Sequence, residues 1–223
     1  NMGINQLFRD PGSFLYAMLL TLPGIIIGLT FHEYAHAYVS YKLGDPTPKN
    51  QGRVTISPFA HIDPLGFIML LLFRFGYGKP VMINPNNYKD RRKGEILVSL
   101  AGVTMNFIVA VVCALIYYLL IKFQVLAFGS VIRIMLQYTI IININLMVFN
   151  LLPIPPLDGY KVVRNLLIGK IDVGKLWQFE SFFNRYGFII LFILLYLPAT
   201  QALIQALSGY VLDFVNLLTA WIL

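Results

Sequence analysis

The sequence holds a single cysteine, Cys113, among 223 residues, so neither a disulfide framework nor a thiolate metal site can be built from it. Charge is scarce as well: Asp, Glu, Lys and Arg make up 12 % of the chain, against 58 % hydrophobic residues and a mean hydropathy of +0.72. That balance excludes a soluble domain of this size. The charges that exist are lopsided, 17 basic against 10 acidic. No basic patch is interleaved with aromatics on a polar stretch, however, and nucleic acid is not expected as a partner. Histidine and glutamate are the rarest ionisable types after cysteine, with three copies each, and two of the histidines stand four residues apart.

Long apolar runs fill the chain. Several approach or exceed the roughly 20 residues that a helix needs to cross a bilayer, which makes the lipid bilayer the first partner. Spans are expected over about 13–41, 95–121 and 131–152, with further spans over about 181–197 and 201–223, all within one membrane domain covering 1–223. Gly44-Asp45-Pro46 closes the first and Pro153-Ile154-Pro155-Pro156 halts the third. The apolar run 65–75 is too short to cross and is read as a re-entrant or interfacial segment. Residues 53–57 and 79–85 alternate in the manner of two short strands. The expected fold is therefore an all-α polytopic membrane protein with about five transmembrane helices, a short re-entrant segment and small β-strands near the active site. In the last span Gln201, Gln205, Ser208, Asp213 and Asn216 share one side of the helix, a polar face expected to pack on the bundle.

Near the end of the first run stands Phe31-His32-Glu33-Tyr34-Ala35-His36. On a helix His32 and His36 project from one face, close enough for both imidazoles to hold one Zn²⁺, with Glu33 beside them as general base. This H-E-x-x-H spacing arises by chance in roughly one chain of this length in a hundred or fewer. Each ionisable side chain at that depth costs about 2.5 to 3.5 kcal/mol on insertion scales, so function is the default reading.

Fourteen of the seventeen basic residues fall in two segments, between the first and second spans and between the third and fourth; Arg9, Lys122 and Arg133 are the rest. By the positive-inside rule those segments face the cytoplasm and the N-terminus lies outside. His32 and His36 then lie toward the cytoplasmic side of the membrane, at the depth where the third span ends and Asp158 follows.

A catalytic zinc takes three protein ligands and keeps an open position. Candidates for the third are Asp158, His61 or Asp63, Glu95, Asp172 and Asp213. Asp158 follows a proline-broken backbone at a span's end, where irregular chain is tolerated only beside a cavity or buried in protein, and this position favours it.

His32-Glu33-x-x-His36, together with Asn150-Leu151-Leu152-Pro153-Ile154-Pro155-Pro156-Leu157-Asp158-Gly159, resembles the paired signature of the site-2 proteases, intramembrane zinc metalloproteases. Gly102 to Asn106, Gly52-Arg53, His61-Ile62-Asp63-Pro64 and Lys79-Pro80 resemble further family positions. The chain looks like a compact, bacterial-type member in which neither a PDZ nor a CBS domain finds room. The resemblance implies one Zn²⁺ per chain held by His32, His36 and Asp158, Glu33 as the catalytic base, and Asn150 near the scissile carbonyl. It also implies a transmembrane protein substrate. Val54, Thr55 and Ile56, with Val81, Met82, Ile83 and Asn84, are expected to offer a strand edge to an unwound substrate. Two rival classes are a membrane metal transporter and a non-catalytic relative that grips membrane segments. The transporter has no need of Glu33 beside a ligand, and the relative would have lost a ligand or the base. Oligomeric state is not legible in the sequence.

Overall fold

The computed structural model describes residues 10–73, 78–125, 127 and 130–222. In chain order it contains α1 (Pro11–Lys42), the short turns α2 (Thr47–Asn50) and α3 (Pro58–His61), α4 (Pro64–Phe73), α5 (Arg91–Lys122), α6 (Val131–Asn150), α7 (Asp158–Leu167), α8 (Val173–Tyr196) and α9 (Pro198–Thr219). Arg9, Arg74 and the last two residues of the apolar run 65–75 lie outside the described residues.

Three aspartates start three of the helices. The Asp10, Asp90 and Asp172 carboxylates accept from the N–H groups of Ser13, Lys93 and Lys175 at 3.1, 3.0 and 2.9 Å, each satisfying one of the orphan donors of a first turn. From such starts α1 and α5 each run 32 residues, about 48 Å, more than the bilayer's hydrocarbon core. The 10 residues of α4 reach only about 15 Å, in keeping with a segment that does not cross.

α1, α5 and α6 form the block that carries the site. α1 and α6 run parallel: a Cβ built on Gly24 would meet Thr139 Cα at 2.9 Å, and one on Gly28 would meet Leu146 Cδ1 at 2.7 Å. Glycine at both positions lets the helix axes approach closely, as small residues do in membrane bundles. α5 runs antiparallel to them, and Val109, Ala110, Cys113 and Ala114 pack on Ile140, Ile144 and Val148. α9 lies alongside with its end beside the end of α5. Tyr118 Oη donates to Asn216 Oδ1 at 3.0 Å, and Lys122 Nζ donates to the Ile222 carbonyl.

Among the described residues four helices, α1, α5, α6 and α9, are long and apolar enough to cross. The expected fourth span, 181–197, is not a straight crossing. It falls in a bent pair, Gly174–Gly187 and Ile189–Tyr196, with 74° between the arms, which adds a fifth only if both arms count as one span. The second arm, at about 12 Å, cannot cross alone. Leu191 on it packs with Leu152 and Leu157, beside the end of α6.

Two expectations change. Among the described residues there is no β-strand, only an isolated bridge between Ile62 and Gly78. Side chains, not a neighbouring strand, take the main-chain bonds. The Arg53 guanidinium donates to the carbonyls of Ala60 and, at 2.9 Å, Pro80, and His61 Nε2 donates to Thr55 O at 2.7 Å. Burial lowers the His61 pKa, which keeps this ring neutral. The polar face of α9 also differs: Asn216 meets Tyr118, but Gln201, Gln205 and Asp213 are exposed, and α9 packs through Ile204, Val211, Leu212, Val215 and Thr219.

Candidate metal centre

One turn of α1 presents His32 and His36 side by side, their ring centroids 4.6 Å apart. α5 fixes both rings. His36 Nδ1 lies 2.7 Å from the Val98 carbonyl, an acceptor only, so Nδ1 carries the proton. His32 Nδ1 lies 2.6 Å from Asn106 Oδ1, and the Asn106 amide nitrogen is committed to Gly28 O and Asn143 Oδ1, so Asn106 turns its oxygen to the histidine. In the neutral rings both Nε2 atoms then carry lone pairs.

Those lone pairs meet. The Nε2 atoms are 3.0 Å apart, and Asp158 Oδ2 lies 3.2 Å from His32 Nε2 and 3.0 Å from His36 Nε2. Three electron-pair donors, all buried, converge with no proton between them. Such a triangle is repulsive without a cation and suits an ion with ligand distances of about 2.0 to 2.2 Å. The donor set, two imidazoles and a carboxylate, is one that zinc accepts.

The neighbouring backbone is shaped to this cluster. A Cβ on Gly102 would come within 2.5 Å of His36 Nε2 and 2.6 Å of His32 Cε1, so only glycine lets α5 pass this close. Asp158 opens α7, and the chain before it turns so tightly that a Cβ on Gly159 would meet Leu151 O at 2.1 Å. The second Asp158 oxygen, Oδ1, accepts from Lys161 Nζ at 2.9 Å.

Glu33 follows His32 on α1, and its Oε2 accepts from the Val81 N–H at 3.3 Å. Gly78 is pressed against the same carboxylate, with room for a Cβ only 3.4 Å from Glu33 Oε1. Residues 78–84 are held by four anchors: Lys79 N to His61 O at 2.7 Å, Arg53 to Pro80 O, Val81 N to Glu33, and Asn84 N to Asp45 Oδ2 at 2.7 Å. Asp45 is fully buried and also accepts from Ser40, Thr47 and Asn87. Burial opposes its charge, but the Asn84, Thr47 and Asn87 donors prevail and bring its pKa down to about 2.

The other candidate ligands are occupied elsewhere. His61 holds Thr55 O; Asp63 accepts from Gly66 N at 2.8 Å; Asp172 caps α8; Glu95 meets Arg91, Arg164 and Asn165; Asp213 is exposed. Asn150, the last residue of α6, donates one amide proton to Leu146 O at 3.0 Å and makes no bond to the three-residue cluster. Sequence reasoning did not single out Asp45, nor give Asn106 and Val98 their places behind the histidines. The four-residue spacing from Gly102 to Asn106 was the available sign, since it puts both on one face of α5.

Comparison with known proteins agrees with this geometry. The family model for peptidase family M50 matches residues 121–194, a stretch that includes Asp158 and excludes the histidine pair. YwhC of Bacillus subtilis (strain 168), named as a candidate zinc metalloprotease, is 38 % identical over 192 residues, covering 83 % of this chain and 85 % of its own. Rip2 of Mycolicibacterium smegmatis, similarly named, is 28 % identical over 210 residues, 92 % of this chain and 77 % of its own. MJ0611 of Methanocaldococcus jannaschii, named in the same way, is 29 % identical over 165 residues, 73 % and 78 % of the two chains. No solved structure matches the chain.

Proposed function

Because this chain belongs to peptidase family M50, the site-2 protease family, we propose that it is an intramembrane zinc metalloprotease hydrolysing peptide bonds within or near the transmembrane segments of membrane proteins. The observation that carries the reading is the convergence of His32 Nε2, His36 Nε2 and Asp158 Oδ2 one residue from the Glu33 carboxylate. A bound Zn²⁺ supplies Lewis acidity and lowers the pKa of water at its open position toward about 7.

The chain's own groups do the rest. Asn106 and the Val98 carbonyl hold both imidazoles in the tautomer that offers Nε2. Glu33 takes a proton from the attacking water at its carboxylate and returns it to the leaving amine. Asn150 has a second amide proton with no partner among the described residues, and it is assigned to the negative charge that develops on the scissile carbonyl oxygen.

A substrate helix must unwind before its amide can be reached, and the loosened main chain needs partners. The groups of Met82 and Ile83 take no hydrogen bond from the described residues, while Lys79, Pro80, Val81 and Asn84 on either side are pinned. Met82 is 63 % exposed. In this reading residues 81–84 pair with the unwound substrate beside Glu33. Thr55 O is already taken by His61, so in this reading residues 54–56 offer the substrate their other main-chain groups. The positive-inside reading places the basic segments, and with them the metal centre, toward the cytoplasm.

The test is Glu33→Gln in the purified protein and in cells. Zinc retained with proteolysis abolished, and membrane proteins accumulating uncut in a proteome comparison with wild type, supports the protease. Unchanged proteolysis, or zinc flux that persists through the substitution, overturns it.

A further inference from the structure

The first arm of α8, Gly174–Gly187, presents three faces. Leu176, Glu180, Phe183 and Gly187 share the inward one. There Glu180 Oε1 accepts from Tyr160 Oη at 3.1 Å and from the Arg164 guanidinium, and Gly187 lies under the Pro155 carbonyl. Lys175, Phe179, Phe182 and Tyr186 recur at helical spacing along a second face, and the three aromatics are 43 %, 51 % and 41 % exposed. Phe182 and Tyr186 touch, with centroids 5.3 Å apart. Trp177, 69 % exposed, belongs to the third face with Ser181 and Arg185.

Positive charge collects around this arm, and the nearby acids are committed to other partners. Lys170, Lys175 and Arg185 are exposed, the last with its guanidinium 5.5 Å from the Tyr186 ring centroid. Arg92 donates to Leu166 O at 3.1 Å, which brings the Arg91-Arg92-Lys93 start of α5 to the same level. Asp172 and Asp90 cap their helices, Glu95 is paired with Arg91 and Arg164, and Glu180 points inward to Arg164. An exposed aromatic stripe edged by lysine and arginine, on an arm bent 74° from the next, has the make-up of a helix lying in a headgroup layer. The excess of positive charge selects anionic lipids over zwitterionic ones.

We propose that the first arm of α8 is a seat for anionic phospholipid, with Phe179, Phe182 and Tyr186 in the upper acyl region and Lys170, Lys175, Arg185 and the basic start of α5 on the headgroups. Through Glu180 the seat is tied to α7, the helix that begins with Asp158. Membrane lipid thereby braces the element that delivers the third member of the metal cluster.

The probe is a tryptophan set into the stripe by Phe182→Trp, with the chain's two own tryptophans removed by Trp177→Phe and Trp221→Phe. The full chain carrying these changes is placed in nanodiscs with equal mole fractions of brominated phosphatidylglycerol or brominated phosphatidylcholine. Quenching of the Phe182→Trp probe by the anionic lipid should exceed that by the zwitterionic one at least about twofold. The excess should fall in high salt, which needs no further substitution, and vanish in Lys170→Gln/Lys175→Gln/Arg185→Gln. Equal quenching by both lipids overturns the proposal, as does a probe quenched by neither, which would mean that protein covers the stripe.

Discussion

The metal centre and the arm of α8 are opposite solutions to placing polar chemistry in an apolar chain. At the centre the polar atoms that orient the histidines are buried and assigned: His32 to Asn106, Asn106 to Gly28 and Asn143, His36 to Val98. Along the outward faces of the arm, large aromatics and cations stand exposed, and few bonds constrain them. Uncompensated polar groups are expensive in the interior of a bundle, so the centre tolerates almost no substitution; an interfacial helix is held by many weak contacts, each dispensable. Sensitivity to mutation should therefore fall steeply from one region to the other.

The largest effect is expected from Asp158→Ala, which removes one of three converging donors: the purified protein should lose most of its zinc by metal analysis, and activity with it. Gly102→Ala should come next, although alanine favours a helix, because its Cβ would stand 2.5 Å from His36 Nε2. Zinc content should drop while the helical circular dichroism is kept, and normal zinc would break the comparison. Asn106→Ala leaves the ligands in place but frees the His32 ring, and a loss of about 10- to 100-fold in zinc affinity or activity is expected.

Asp45→Asn acts one step further out. Its carboxylate faces donors alone, so an amide there must confront a Ser40, Thr47, Asn84 or Asn87 donor with another. Hydrogen exchange at the Asn84 amide should accelerate about tenfold or more. Because the folded pKa is depressed to about 2 from 3.8, the contribution of Asp45 is complete above about pH 4 and is lost as the pH falls through about 2. Lowering the pH through that window should loosen the wild-type Asn84 contact and leave the Asp45→Asn protein unchanged. The smallest effect is expected for Phe182→Ser on the arm, within about 0.5 kcal/mol of wild type in detergent and with full zinc content. A collapse there would erase the contrast.

How much of this the sequence discloses depends on what kind of signal each feature leaves. The histidine pair was legible because helical spacing alone puts both rings on one face, and Asp158 because a proline break at a span's end needs a reason to exist. The helices α1, α5 and α6 follow from hydropathy to within a few residues of their expected bounds. Hydropathy measures length and not direction, so the 74° bend in α8 left no mark on it. Alternation at 53–57 and 79–85 does not make strands here: Val54 and Thr55 lie in a bend, Pro85 opens a 3-10 turn, and the pattern cannot say what takes the hydrogen bonds. Here Arg53, His61, Glu33 and Asp45 take them, and the bonds of Arg53 to Pro80, Glu33 to Val81 and Asp45 to Asn84 join residues too distant in sequence for any local pattern to couple. The polar residues of α9 form a stripe on paper, whereas small and branched apolar side chains supply most of its contact.

The pairing of Asn216 with Tyr118, and of Lys122 with Ile222, has a practical consequence for anyone handling the protein. It sets the end of α9 on the same face of the bundle as the start of α1, about 30 Å along α1 from His32. A fluorescent label or affinity handle attached at either of those points reports on the same compartment and stays clear of the metal centre. The metal centre lies toward the opposite face, the one that carries the loops between α1 and α5 and between α6 and α8.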